Sequence, residues 1–532
     1  MRKFLSALTL VAALWGVAVW TQAQQPAFDV LIRNGRVMDG SGNPWLSADI
    51  GIRGGLIAAV GRLGSASAAL TIDAADRLVT PGFIDVHSHA AEGLSRPELR
   101  QAQPILAQGV TTVVVNPDGG GPVDLRAQRT ALETGGIGPN VALLIGHGSV
   151  RRAVIGGANR APTTEELDRM RALVRGGMEH GAFGLSSGLF YTPGSYATTE
   201  EVIELARVAG QFGGVYTSHI RDEGNYGAGV VAAVQEVIRI AEEASMVGIV
   251  SHMKALGPDN WGLSMAATMR IEEARARGVQ VFADQYPYEA SSTNLRAALL
   301  PGGIELPRVE QLAQVPDSLT TDERKARETL EATVRENIRR RGGAASLQIA
   351  SYAPDSTLQG KNLKQIAEAR GVAPETAAVD LMARGSASIV SFNMSEADIR
   401  HIMAKPYTMV SSDGGLVPVG SGQPHPRNYG AFARRIAVYV RERQVTSVED
   451  AIRAMTSLPA SVFGMKDRGL IREGAAADIA IFDLAAIRDR ATYTDPHQLA
   501  EGMSWVLVNG SPVIQEGRFT AALPGKVLIR AD

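Results

Sequence analysis

Two histidines separated by one residue close the apolar run Pro81-Gly-Phe-Ile-Asp-Val-His-Ser-His89. Side chains alternate along a strand, so His87 and His89 leave its end on one side and offer two imidazole nitrogens to one metal ion. His219 and His252 each follow another short apolar run, and Asp413 follows a further one in Ser411-Ser-Asp-Gly-Gly. Neutral imidazoles with a carboxylate form a donor set suited to zinc. The chain has nine histidines and no cysteine, so these four stand out while disulfides, thiolate ligands, a cysteine nucleophile and a lipoprotein anchor are excluded.

What must position these groups is an alternation of apolar runs and amphipathic stretches between about residues 81 and 464. Strands are expected over 83–86, 112–115, 141–145, 184–187, 215–218, 249–251, 279–283 and 408–411. Helices are expected between several of them, including 164–180, 200–212, 230–244 and 267–277, with Thr164 capping the first. That pattern is an α/β fold, a (β/α)8 TIM-type barrel, in which reactive groups collect at the carboxyl ends of the strands. His87 and His89 then end the first strand, His219 the fifth, His252 the sixth and Asp413 the eighth.

Short β-rich runs with glycine turns fill residues 24–80 and return over 465–532, so the two ends should pair into one small β-sandwich. Residues 301–405 are too long for one connection and read as an inserted subdomain between the last two barrel strands. An alternative gives Ile389-Val-Ser391 to the barrel sheet. Residues 1–23 read as a cleaved signal peptide, with Arg2 and Lys3 before an apolar run, which implies an exported protein, periplasmic or secreted, with no span after removal. A net charge of −2 gives no broad field for nucleic acid or anionic membrane. The hydrophobic share of 45% is ordinary for a globular enzyme.

The segments PGFIDVHSH (81–89), GVTTVVVN (109–116), GLSSGLFYTPGSYATTEE (184–201), TSHIRDEG (217–224), SHMKALG (251–257), DQYPYEASST (284–293), SSDGG (411–415) and HPRNYG (425–430) run through nearly the whole mature chain. In them the chain resembles the amidohydrolase superfamily, and within it the N-acyl-D-amino-acid deacylases (D-aminoacylases). The resemblance implies zinc, one ion or two, held by His219 and His252, with His87, His89 and Asp413 at a second, weaker or vacant position. The family places a cysteine after its second strand as ligand or bridge. The matching residue here is Asp118, whose carboxylate is a chemically sensible replacement.

The implied reaction is hydrolysis of a linear amide, with Asp413 as general base and then general acid. An N-acyl amino acid carries a free α-carboxylate, and the planar guanidinium of Arg427 suits it. By resemblance Lys254, Tyr286 and Ser291 join Arg427 there. His147, after the third strand, is expected to line the pocket or to hydrogen-bond a group that does. The expected partner is a small N-acyl amino acid or dipeptide-like molecule. The rivals are other amidohydrolases, such as a β-aspartyl dipeptidase, a cyclic-amide hydrolase or a carboxypeptidase-like amidase, and a non-catalytic binding protein on the same fold. The stretch 184–190 has no lysine, which argues against a cyclic-amide hydrolase with a carbamylated bridging lysine.

Overall fold

The computed structural model describes residues 27–300, 302, 306–313 and 319–530, and the expected leader at 1–23 lies outside them. Eight parallel strands form the barrel. They are β1 (Phe83–His89), β2 (Val110–Val115), β3 (Asn140–Leu143, resuming at Ile145–Gly146), β4 (Gly184–Gly188), β5 (Val215–His219), β6 (Val247–Val250), β7 (Val281–Gln285) and β8 (Thr408–Val410, resuming at Gly414–Gly415). Each pairs in parallel with the next, and β8 pairs with β1 through Gly414 and Gly415, so the ring is closed.

Two of the strands are broken, and the break in β8 matters. Its first part pairs with β7 and its second with β1, which leaves Ser411 to Asp413 as an irregular turn at the top of the barrel. Ile84, Val86, Val114, Leu144, Val215 and Ile249 share one buried cluster with Leu458 and Phe463 of the helix Ser457–Phe463. The barrel is therefore filled at this layer, and the reactive groups lie above it. Outward-facing strand residues pack on the surrounding helices, which is why these strands are apolar on both faces.

The helix Thr164–Glu179 is capped by Thr163 rather than by the expected Thr164. Thr163 has the extended backbone a cap needs, its hydroxyl accepts from Glu166 N–H at 3.2 Å, and Glu166 answers on the Thr163 N–H at 2.8 Å.

Between β7 and β8 the strands Ser291–Asn294, Leu347–Tyr352 and Ala387–Ser391 form a separate antiparallel sheet with Ala387–Ser391 in the middle. Ile389 to Ser391 thus belong to the insertion and not to the barrel. The insertion begins near Ser291, earlier than position 301, because its first strand is Ser-Ser-Thr-Asn and carries no apolar period. The helices Thr321–Arg340 and Pro374–Arg384 cover this sheet around a core of its own that includes Leu330, Val334, Ile349 and Leu381.

Strands from the two chain ends lie in one nine-stranded sheet, joined where Ile479–Phe482 runs antiparallel to Leu78–Pro81. Val30, Ile50, Ile479, Trp505 and Leu507 share its core, so neither end buries that core alone. Among the described residues no helix is long and apolar enough to cross a membrane.

Candidate metal centre

Three of the expected donors sit where the backbone is forced into the left-handed region: Asp118 at φ 55°, His252 at 34° and Asp413 at 48°. Such conformations cost free energy and persist only where the surroundings fix them. At His252 and Asp413 two buried carboxylates beneath the site do so. Asp284 on β7 accepts from the His252 N–H at 2.9 Å and from the Ser411 hydroxyl at 2.6 Å. Asp85 on β1 accepts from the Ser412 N–H at 2.9 Å, and the Asp413 N–H donates to the His87 carbonyl at 2.9 Å.

The result is one cluster. His87 Nε2 lies 3.4 Å from Asp118 Oδ1 and 3.7 Å from Asp413 Oδ1. His89 Nε2 lies 3.4 Å from Asp118 Oδ2 and 3.2 Å from Asp413 Oδ1. His252 Nε2 and His219 Nδ1 stand 3.5 and 3.9 Å from Asp118 Oδ1, and 2.9 Å from each other. Two overlapping donor sets follow, His87/His89/Asp118/Asp413 and Asp118/His219/His252, with Asp118 common to both. Two ligands each about 2.0–2.1 Å from a tetrahedral zinc ion stand roughly 3.3 Å apart, close to these separations. Both ring nitrogens of His87 and Oδ1 of Asp118 are buried without a hydrogen-bond partner, which is costly unless a cation satisfies them. The residues present fit a zinc site.

The electrostatics follow from the same contacts. Burial opposes ionisation of Asp118, but His87, His252 and His89 hold it well below the usual carboxylate range. Burial likewise opposes Asp413, yet Arg427 and His252 hold it far below that range. Burial and Lys254 push His252 down, but Glu223, Asp413 and Asp118 outweigh them and raise it to about 10. Burial, aided by His252 and Lys254, outweighs Glu223 and Asp118 at His219 and lowers it to about 4. An incoming divalent ion must therefore displace a proton from His252, and its affinity weakens as pH falls.

Glu223 is the residue that sequence reasoning missed, although it stands in the TSHIRDEG segment four positions after His219. It lies behind the imidazoles on the side away from the cluster, with Oε1 3.0 Å from His252 Nδ1 and Oε2 3.9 Å from His219 Nε2. Carboxylates in that place fix imidazole orientation and raise ligand basicity. Glu223 also pairs with Lys254, whose Nζ is 2.9 Å from His252 Nδ1. Tyr191, likewise unassigned, sets its ring 4.6 Å from that of His219 and hydrogen-bonds Thr293 at 3.2 Å.

Lys254, Tyr286, Ser291 and Arg427 all line a cleft of about 1120 Å³ above the cluster. Arg427 commits one terminal nitrogen to Asp413 Oδ2 at 2.7 Å, keeps a buried Nε without a partner, and stacks its guanidinium 4.7 Å over Tyr286. Ser291 Oγ hydrogen-bonds the Asn393 amide at 3.1 Å. His147 does not reach the cleft, contrary to expectation. It opens the helix His147–Ile155 fully buried and hydrogen-bonds Glu201 at 3.0 Å, and Glu201 in turn pairs with Arg151. The chain turns away after β3, so His147 ties two outer helices together.

His425 shapes the Arg427 loop. Its Nδ1 accepts from the Arg427 N–H at 3.0 Å and its Nε2 faces the Ala290 carbonyl at 2.9 Å, which requires the neutral ring with the proton on Nε2. Burial and Arg427 hold it well below 6.5. The unfolded chain takes up a proton below pH 6.5 that the folded chain refuses, so stability falls with pH there by about 1.4 kcal/mol per unit. Between pH 7 and 5 the wild type should lose about 2 kcal/mol more than His425→Gln, read from urea midpoints of the two metal-free proteins. Equal losses would place the acid sensitivity elsewhere.

A closed parallel barrel with imidazoles and carboxylates converging at the carboxyl ends of its strands is the architecture of a metal-dependent hydrolase. The family model described as "Amidohydrolase family" matches residues 70–514, and the chain belongs to that family. It is 35% identical to a D-aminoacylase of Alcaligenes xylosoxydans xylosoxydans over 96% of this chain and 99% of that one. It is 36% identical to an N-acyl-D-glutamate deacylase of the same organism over 95% and 97%. Among solved structures, an N-acyl-D-glutamate deacylase of Bordetella bronchiseptica, in complex with zinc and a phosphonate mimic of the tetrahedral intermediate, superposes with a TM-score of 0.80 at 34% identity, covering 95% of this chain and all of that one. An L-hydantoinase of Arthrobacter aurescens at 17% identity and a TM-score of 0.59, covering 94% of this chain and all of that one, shares the fold alone.

Proposed function

We propose that the protein hydrolyses the amide bond of N-acyl-D-amino acids with zinc as cofactor, releasing a carboxylate and a free D-amino acid. The observation that carries this reading is the six-residue cluster joined through Asp118, set in a chain that matches D-specific deacylases from end to end. His219, His252 and Asp118 would hold one ion, with His87, His89 and Asp413 available to a second. A bound zinc ion supplies a water whose pKa falls from about 16 toward about 7 and a Lewis acid for the acyl carbonyl. Asp413, ionised at neutral pH, takes the proton of the attacking water and returns it to the amide nitrogen, which leaves only when protonated. Arg427 orients Asp413 through their ion pair. Lys254, Tyr286, Ser291 and Arg427 surround the place of the α-carboxylate.

Hydrolysis of N-acetyl-D- and N-acetyl-L-amino acids by chelator-treated and zinc-restored protein tests the reading. Turnover of the D forms that needs zinc is the expected result. A zinc-loaded protein that cleaves no amide, or that prefers the L forms, overturns it. The basic and apolar composition of residues 1–23 further supports export to the periplasm or medium. Mass spectrometry of the mature amino terminus checks this, and an intact Met1 in the cytoplasmic fraction would refute it.

A further inference from the structure

Among the described residues, three lysine and arginine side chains line the cleft: Lys254, Arg341 and Arg427. Lys254 is paired with Glu223 and Arg427 with Asp413. Arg341, 2% exposed, has no carboxylate within ion-pair distance among the described residues. Its protein contacts are neutral. Nε donates to the Ala298 carbonyl at 3.3 Å, and the Asn393 amide, turned so that both its groups are satisfied, accepts from Nη1 at 3.2 Å. The guanidinium carbon sits 5.8 Å over the ring of Tyr226, which also lines the cleft. Neighbouring Arg340 is paired with Glu336 at 3.1 Å and offers no counter-charge.

A guanidinium keeps its proton in a protein, and a buried charge without a counter-ion is destabilising. Arg341 caps the carboxyl end of the helix Thr321–Arg340, whose partial negative charge compensates less than an ionised carboxylate would. We propose that Arg341 binds a second carboxylate of the substrate, carried on the amino-acid side chain. Its place supports this. Ser291, beside the expected α-carboxylate, hydrogen-bonds Asn393, and Asn393 contacts Arg341, so only one amide separates the two positions. The proposal rests on the acylamino-acid reading and deepens it: the preferred substrates are N-acyl amino acids with acidic side chains.

The decisive comparison is N-acetyl-D-glutamate against its neutral isostere N-acetyl-D-glutamine, with N-succinyl-D-glutamine as the arm that carries the extra charge on the acyl group. The zinc-loaded wild type should favour the glutamate derivative in kcat/KM by about tenfold or more, the scale of a charge-assisted contact. Arg341→Gln should bring that ratio close to one, and Arg341→Lys should keep part of it. A wild type without the preference, or a ratio untouched in Arg341→Gln, overturns the proposal. An Arg341-dependent preference for the succinyl substrate overturns its placement on the side chain. Calorimetric titration of both acetyl compounds into zinc-loaded Asp413→Asn protein reads the same ratio without turnover. Arg341-dependent binding with no hydrolysis by the wild type would sink the deacylase reading and leave this subsite standing.

Discussion

Replacing Asp413 by asparagine should lower kcat by about 10²- to 10⁴-fold, the usual contribution of a positioned general base. The substitution is chosen to change one property. Asparagine tolerates the left-handed backbone at position 413, where φ is 48°, and its carbonyl oxygen can still accept from Arg427, which holds Asp413 Oδ2 at 2.7 Å. The Asp413 N–H to His87 carbonyl bond is untouched because it is made by the main chain. The variant side chain would keep the shape and lose the ability to take a proton. The zinc held by Asp118, His219 and His252 and the melting temperature should therefore stay near those of the wild type while single-turnover rates collapse. Activity within tenfold of the wild type would mean that the proton goes elsewhere and that Asp413 is only a donor in the cluster.

The second large effect is expected at Asp118. Its Oδ1 is 3.4 Å from His87, 3.5 Å from His252 and 3.9 Å from His219, and its Oδ2 is 3.4 Å from His89, so one side chain serves both donor sets. Glycine is the informative replacement. At φ 55° an alanine would add backbone strain to the loss of the carboxylate, whereas glycine adopts that conformation freely. Asp118→Gly should weaken zinc binding by at least about 100-fold, the upper end for loss of an outer-shell partner, and activity should fall with it. Asp118→Cys should restore much of both, because a thiolate is a good zinc ligand. Metal analysis after dialysis against a graded chelator gives the answer. A glycine variant that keeps its zinc would make Asp118 a turn residue in the Asn116-Pro-Asp-Gly loop and nothing more.

Order along the chain was enough to read the barrel and the histidines. An alternation of apolar runs and amphipathic stretches has few folded solutions, and in that fold a residue just past a strand lies at the reactive end whatever the rest of the chain does. For this reason His87, His89, His219, His252 and Asp413 were legible from position alone. Asp118 was legible only because the segment before it matched a family.

Which side chains meet across the ring was settled by tertiary packing. His147 follows β3 as directly as His219 ends β5, yet the chain turns it into a helix against Glu201, and no local pattern records that turn. Arg427 and Asp413 are fourteen positions apart, and Glu223 and Lys254 thirty-one. Those pairings arise where strands converge. Arg341 is the extreme case, a helix-end arginine of ordinary composition that becomes a buried charge on the cleft because the insertion folds back over the barrel mouth. Hydrophobic period reports how each element is oriented toward its own core. Charge compensation depends on distances between elements, and those exist only once the ring has closed.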